Sequence, residues 1–172
     1  MEKMPSVYEY ADYYATYVKL VPQGELVQIL GEQMKETVTM LSSLSEEQSK
    51  FRYAPGKWSI KEVIGHITDT ERIMSFRLLS IARGESALLP GYDENQYVEE
   101  AEFDKQSLNE LLDHFACVRQ STIHLLKSLS QEMLARRGTA NQTEVTARAL
   151  STIIAGHELH HRKIIQERYL KA

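Results

Sequence analysis

Four prolines and eight glycines are all that punctuate the 172 residues, and between them apolar side chains recur at three- and four-residue steps. Such spacing commits a chain to helices that bury one face. The first stripe follows Pro22 and Gly24 and runs through Leu26, Ile29, Leu30, Met34, Val38 and Leu41 to Ser42. The second opens at Ser59, three residues before Glu62, where each side chain can satisfy the other's free backbone N–H in a capping box. Ile60, Val63, Ile64, Ile67, Met74, Leu78 and Ile81 continue it up to Gly84, so a helix over roughly 59–83 is predicted. Leu108, Leu111, Leu112, Phe115, Val118, Leu125 and Leu129 form a third stripe; RRGTANQTEVT breaks the pattern, and Leu150, Ile153, Ile154, Ile164 and Ile165 form a fourth. Four amphipathic helices predict an all-α four-helix bundle.

Two segments fall outside the stripes. Tyr10, Tyr13, Tyr14 and Tyr17 stand at helical spacing and predict a short extra N-terminal helix packed on the bundle, with lining of a pocket or of a partner surface as alternatives. GESALLPGYDENQYVEEAEF, from Gly84 to Phe103, predicts a long irregular loop of the kind that lies over a site, its acidic residues Asp93, Glu94, Glu99 and Glu100 solvated.

With 42% hydrophobic and 26% charged residues, a single globular domain over 1–172 is expected. A net charge of -4, from 20 basic and 24 acidic residues, offers no field for a phosphate backbone, so nucleic acid is not an expected partner. The one cysteine, Cys117, cannot close an internal disulfide and fits a reducing compartment. Its place near Leu111, Phe115 and Val118 predicts a buried, inert thiol. The opening MEKMPSVYEY lacks the apolar run of a secretory signal, and no stretch approaches the roughly 18 apolar residues of a membrane span. A soluble cytoplasmic protein with no membrane partner is the expectation.

Helical geometry sorts the six histidines. At about 100° per residue, His157 and His161 stand within about 40° of each other on the inward face of the fourth stripe. An i, i+4 pair of imidazoles is a partial chelate for a divalent ion. His66, at the edge of the second stripe, can turn inward as a third ligand, and three histidines leave a coordination position open for water or substrate. His160, about 60° off His157, suits the rim or a supporting contact; His114 and His124 fall on the outer side of the third helix. The alternative is a set of buried neutral histidines bonded to carboxylates or carbonyls. His157, Glu158 and His161 also satisfy H-E-x-x-H, but no histidine follows to complete a zinc peptidase.

Other polar residues carry paired readings. Glu71, near the centre of an apolar stripe, needs an arginine or histidine partner and serves either a structural ion pair or support of the metal site. Arg77 lies on the His66 side and either holds an anionic substrate group or is a surface charge.

KWSIKEVIGHITDTERIMSFRLLSIARG, LPGYDENQYV and IIAGHELHHRKIIQERYL resemble, in order and spacing, the DinB-like superfamily of metal-dependent hydrolase-like proteins. The resemblance implies a bundle with up-down-down-up connectivity and a divalent metal, zinc or nickel foremost, on His66, His157 and His161. Family members include thiol S-transferases using low-molecular-weight thiols, a thiol-dependent isomerase and metal-dependent hydrolases. An enzyme acting on a small-molecule substrate is implied, with or without a thiol cosubstrate; among the chain's own residues, Arg77 or loop residues such as Tyr92 are expected to orient that substrate. A non-catalytic interaction bundle with structural histidines is the competing reading, and a homodimer is compatible with either.

Overall fold

A computed structural model describes residues 4–171. Four long helices dominate: α1 (Leu26–Leu41), α2 (Ile60–Ala82), α3 (Leu108–Lys127) and α4 (Ala147–Ile164). Each falls where the apolar spacing predicts. The Ser59–Glu62 capping box is present, the Ser59 hydroxyl accepting from the Glu62 N–H at 3.1 Å while Glu62 accepts from the Ser59 N–H at 2.7 Å. Ser107 and Glu110 start α3 in the same way.

Side-chain pairings fix the direction of every helix. Gln33 reaches Ala155 and Thr37 reaches Glu158, so α1 and α4 run parallel. Glu71 meets Arg119 and Ser75 meets Thr122, so α2 and α3 run parallel. α2 packs antiparallel on α4 and α1 antiparallel on α3, leaving α1 and α2 on opposite corners. This is the up-down-down-up order.

The apolar core is split in two. One half gathers Leu30, Leu78, Ile81, Leu150 and Ile153 with Tyr14, Val18 and Val21 of the N-terminal segment. The other gathers Leu41, Ile60, Ile64, Phe115 and Ile165 with Phe103. Between them lies a polar layer. Arg119 Nε donates to both Glu71 oxygens at 2.9 and 3.0 Å, its Nη1 donates to Gln33 Oε1 at 3.0 Å, and Gln33 Nε2 donates to the Ala155 carbonyl at 3.2 Å, tying all four helices together.

The connections depart from the sequence expectations. Gly84 to Phe103 is not wholly irregular: Glu94–Ala101 is a helix, because Asp93 Oδ1 accepts from the Asn95 and Gln96 N–H groups at its start. The break before α4 is a hairpin of β1 (Arg137–Ala140) and β2 (Thr143–Thr146), turning at Asn141 and Gln142, both with positive φ (49° and 64°) as a tight hairpin turn requires. Leu89 bridges to Ala140, so the hairpin also pins the loop after α2. The predicted N-terminal helix is short and mixed, a 3₁₀ turn over Asp12–Tyr14 running into Ala15–Val18. Cys117 is exposed, not buried. It stands two residues, about 200° of helical rotation, from the buried Phe115 and so faces outward.

Candidate metal centre

His66 projects from the second turn of α2, and His157 and His161 from successive turns in the second half of α4, beside the polar layer. His157 Nε2 lies 3.1 Å from His66 Nε2 and 3.1 Å from His161 Nε2, and one nitrogen from each ring falls within 4.8 Å of the others. A neutral imidazole nitrogen carries either one proton or one lone pair, so His157 Nε2 can make one linear hydrogen bond and not two. Three lone pairs converging on one ion resolve the crowding. With metal–nitrogen distances of about 2.0–2.1 Å, ligand nitrogens sit about 2.9 Å apart at right angles and about 3.4 Å apart at the tetrahedral angle. The two 3.1 Å spacings about His157 lie between these, and the donor set fits a divalent ion.

The rings are also in the protonation state a metal needs. Burial lowers His66 to about 4 and holds His157 and His161 well below the ordinary histidine range, so all three are neutral near pH 7. Their orientations are fixed by packing. Trp58 lies 4.7 Å from the His66 ring centroid, and Tyr17 meets His157 edge-on at 5.4 Å. Tyr17 comes this close because residue 156 is glycine: a Cβ there would sit 2.1 Å from the Tyr17 carbonyl oxygen. On α2, Gly65 likewise admits the Phe103 ring beside His66.

Beside His157 opens a cavity of about 320 Å³ between α2, the N-terminal segment, the loop after α2 and the hairpin. Tyr13, Tyr14 and Tyr17 wall one side, Thr70, Met74 and Arg77 another, with Tyr92, Glu94 and Asn141 toward the mouth. The tyrosine run therefore both packs the leading segment and lines a pocket. Tyr92 is half-buried, its hydroxyl 2.7 Å from Thr70 Oγ1. Arg77 is buried, which removes the surface-charge reading. His160 is half-buried, its ring 5.3 Å from that of Tyr17, and it stands outside both the converging set and the cavity lining. Glu71 is not at the centre itself: it is the partner of fully buried Arg119.

Glu158 does not face the cavity. It points toward α1, where Thr37 donates to it and Arg162 Nε lies 3.5 Å away, and burial pushes its carboxyl up. The glutamate of the H-E-x-x-H pattern is thus turned away from the space a substrate would fill. Trp58, Asn141 and Arg119 went unnoticed in the sequence. Trp58 directly precedes the capping serine and Arg119 sits one turn after Phe115 on an apolar face, both readable signals; nothing in the sequence marks Asn141.

A bundle of this connectivity with three histidines converging between its second and fourth helices is the architecture of a DinB-like protein. The chain belongs to the DinB superfamily, whose family model matches residues 29–165. Among solved structures it is similar to YfiT from Bacillus subtilis, described as a probable metal-dependent hydrolase with an unusual four-helix bundle topology, at 17% identity and a TM-score of 0.77 over 88% of this chain and 92% of that one. It is also similar to a mycothiol-dependent maleylpyruvate isomerase at 13% identity and a TM-score of 0.66, covering 84% of this chain and 61% of that one. At these identities the likeness establishes the fold. No curated protein sequence matches the chain.

Proposed function

We propose that His66, His157 and His161 hold one divalent metal ion, zinc or nickel, and that the protein is a metal-dependent enzyme acting on a small molecule by hydrolysis or by S-transfer from a low-molecular-weight thiol. The observation that carries this reading is the convergence of three neutral Nε2 atoms, two pairs at 3.1 Å, beside a cavity. A bound divalent ion with an open position lowers the pKa of a water or a thiol there and so supplies a nucleophile near neutral pH. The chain's own contribution is positional. Trp58 and Tyr17 hold the imidazole planes, and the tyrosine walls shape the space beside His157. Arg77 and Tyr92 orient the small molecule within it.

Elemental analysis of tag-free protein tests the reading. About one divalent ion per chain is expected, lost in His66→Ala and His157→Ala variants that keep their helical circular dichroism. The same variants should lose hydrolytic and thiol-transfer turnover in a substrate screen. No uptake by the parent protein after reconstitution with Zn²⁺, Ni²⁺, Mn²⁺ or Fe²⁺ would refute it.

A further inference from the structure

The bundle buries two arginines and treats them differently. Arg119 is fully buried and is met by the carboxylate of Glu71. Arg77 is 2% exposed and meets no carboxylate among the described residues. Its Nη2 donates to the Pro90 carbonyl at 2.6 Å, its Nη1 lies 3.6 Å from the Met74 sulfur, and its Cζ lies 6.0 Å from the centre of the Tyr92 ring. A guanidinium stays charged at any pH a protein survives and carries several N–H donors in a rigid planar fork. Here a carbonyl, a thioether and a ring face leave that charge without an anion among the described residues, with the Pro90 carbonyl as its one oxygen acceptor. Burying an ion without a counter-ion is costly, and this one is buried along the wall of the cavity that reaches His157.

The remainder of the cavity narrows what could neutralise it. Glu94 supplies the one carboxylate among the described lining residues, and it is exposed. Among the described residues no lysine and no second arginine line the cavity, whereas a phosphate dianion calls for more positive charge than one guanidinium. Phenol rings form the opposite wall, surfaces suited to an apolar or unsaturated body.

We propose that Arg77 is an anion-holding subsite, and that the cavity takes a small organic carboxylate, its carboxylate on the Arg77 fork and its body between the tyrosine rings beside His157. Calling that molecule the substrate rests on the metal-centre reading; its binding to Arg77 does not, and the test uses metal-free protein.

Benzoate and benzamide are the probes, equal in shape and different in charge, titrated into metal-free protein and followed by amide chemical shifts. Benzoate is expected to bind about tenfold or more tightly than benzamide, as a charge-assisted pair implies, and to shift residues around Arg77 and Tyr92. Arg77→Gln should erase the preference and Arg77→Lys should keep part of it. Inorganic phosphate should compete more weakly than benzoate. Equal binding of the two probes by the unmutated protein overturns the proposal without recourse to any variant. So does an equal loss of both probes in Arg77→Gln, which would make Arg77 only a clamp on the Pro90 loop, and so does phosphate outcompeting benzoate. A benzoate preference in a protein that takes up no metal would leave the subsite standing and remove the metal centre alone.

Discussion

Replacing Gly156 by alanine tests how the N-terminal segment is docked, because two effects of opposite sign meet there. In a helix interior, glycine to alanine stabilises by about 0.5–1 kcal/mol through backbone entropy. At Gly156 the new methyl would lie 2.1 Å from the Tyr17 carbonyl oxygen and 2.5 Å from its carbon. The obstacle is backbone, which cannot rotate aside as a side chain can, so the segment carrying buried Tyr14 and Val18 must move. Overpacking of this kind costs about 1–3 kcal/mol. The net expectation is destabilisation by about 1–2 kcal/mol, which for a urea slope near 2 kcal/mol/M lowers the midpoint by about 0.5–1 M. Gly31 supplies the control: it lies within α1 and an added Cβ there meets nothing within 4 Å. Gly31→Ala should therefore raise the midpoint while Gly156→Ala lowers it, both followed by far-ultraviolet circular dichroism. Chymotrypsin should also cut at Tyr13, Tyr14 and Tyr17 faster in Gly156→Ala. If both variants raise the midpoint and cleavage is unchanged, the segment is not docked against Gly156 and the tyrosine wall of the cavity goes with it.

Two further outcomes follow from the polar layer and the histidines. Glu71→Leu leaves Arg119 buried and unpaired and should cost about 3–5 kcal/mol in urea unfolding, whereas Glu71→Leu combined with Arg119→Met should recover most of it; equal losses in both would show that the pair is not coupled. In metal-free protein His66 titrates at about 4 folded against 6.5 unfolded, so the folded state binds fewer protons. Its share of stability is complete above pH 6.5 and is lost as pH falls toward 4, about 3 kcal/mol for this ring, with His157 and His161 pulling the same way. Stability that does not fall over that window, or a His66→Gln variant with an undiminished slope, would contradict the burial of the ring.

What could be read in advance was whatever local spacing encodes. The four stripes and the Ser59–Glu62 box located the long helices, and the i, i+4 spacing of His157 and His161 placed two imidazoles on one inward face. The rest depends on contacts between residues distant in sequence. Whether His66 turns inward depends on α4 crossing it, and the fate of Arg77 depends on where the Pro90 loop falls. Glu158 completes the H-E-x-x-H pattern in sequence, yet its side chain turns toward α1, which no local spacing reveals. The hairpin was missed because Arg137–Ala140 has little β-branched character and its turn is Asn-Gln rather than Asn-Gly. Cys117 was misassigned by closeness in sequence to Val118, itself only half-buried.

The order of the helices bears on how the bundle comes together. In a bundle of consecutive hairpins, each helix finds its neighbour through a short loop and partial structures can hold. Here α1 finds its partners in α3 and α4, and the histidines of α2 and α4 that meet are 91 residues apart. Such a domain closes long loops before its helices can pair, which slows folding relative to bundles of local hairpins. No two consecutive helices hold the whole polar layer or the whole histidine cluster, so neither is complete in a fragment of two consecutive helices.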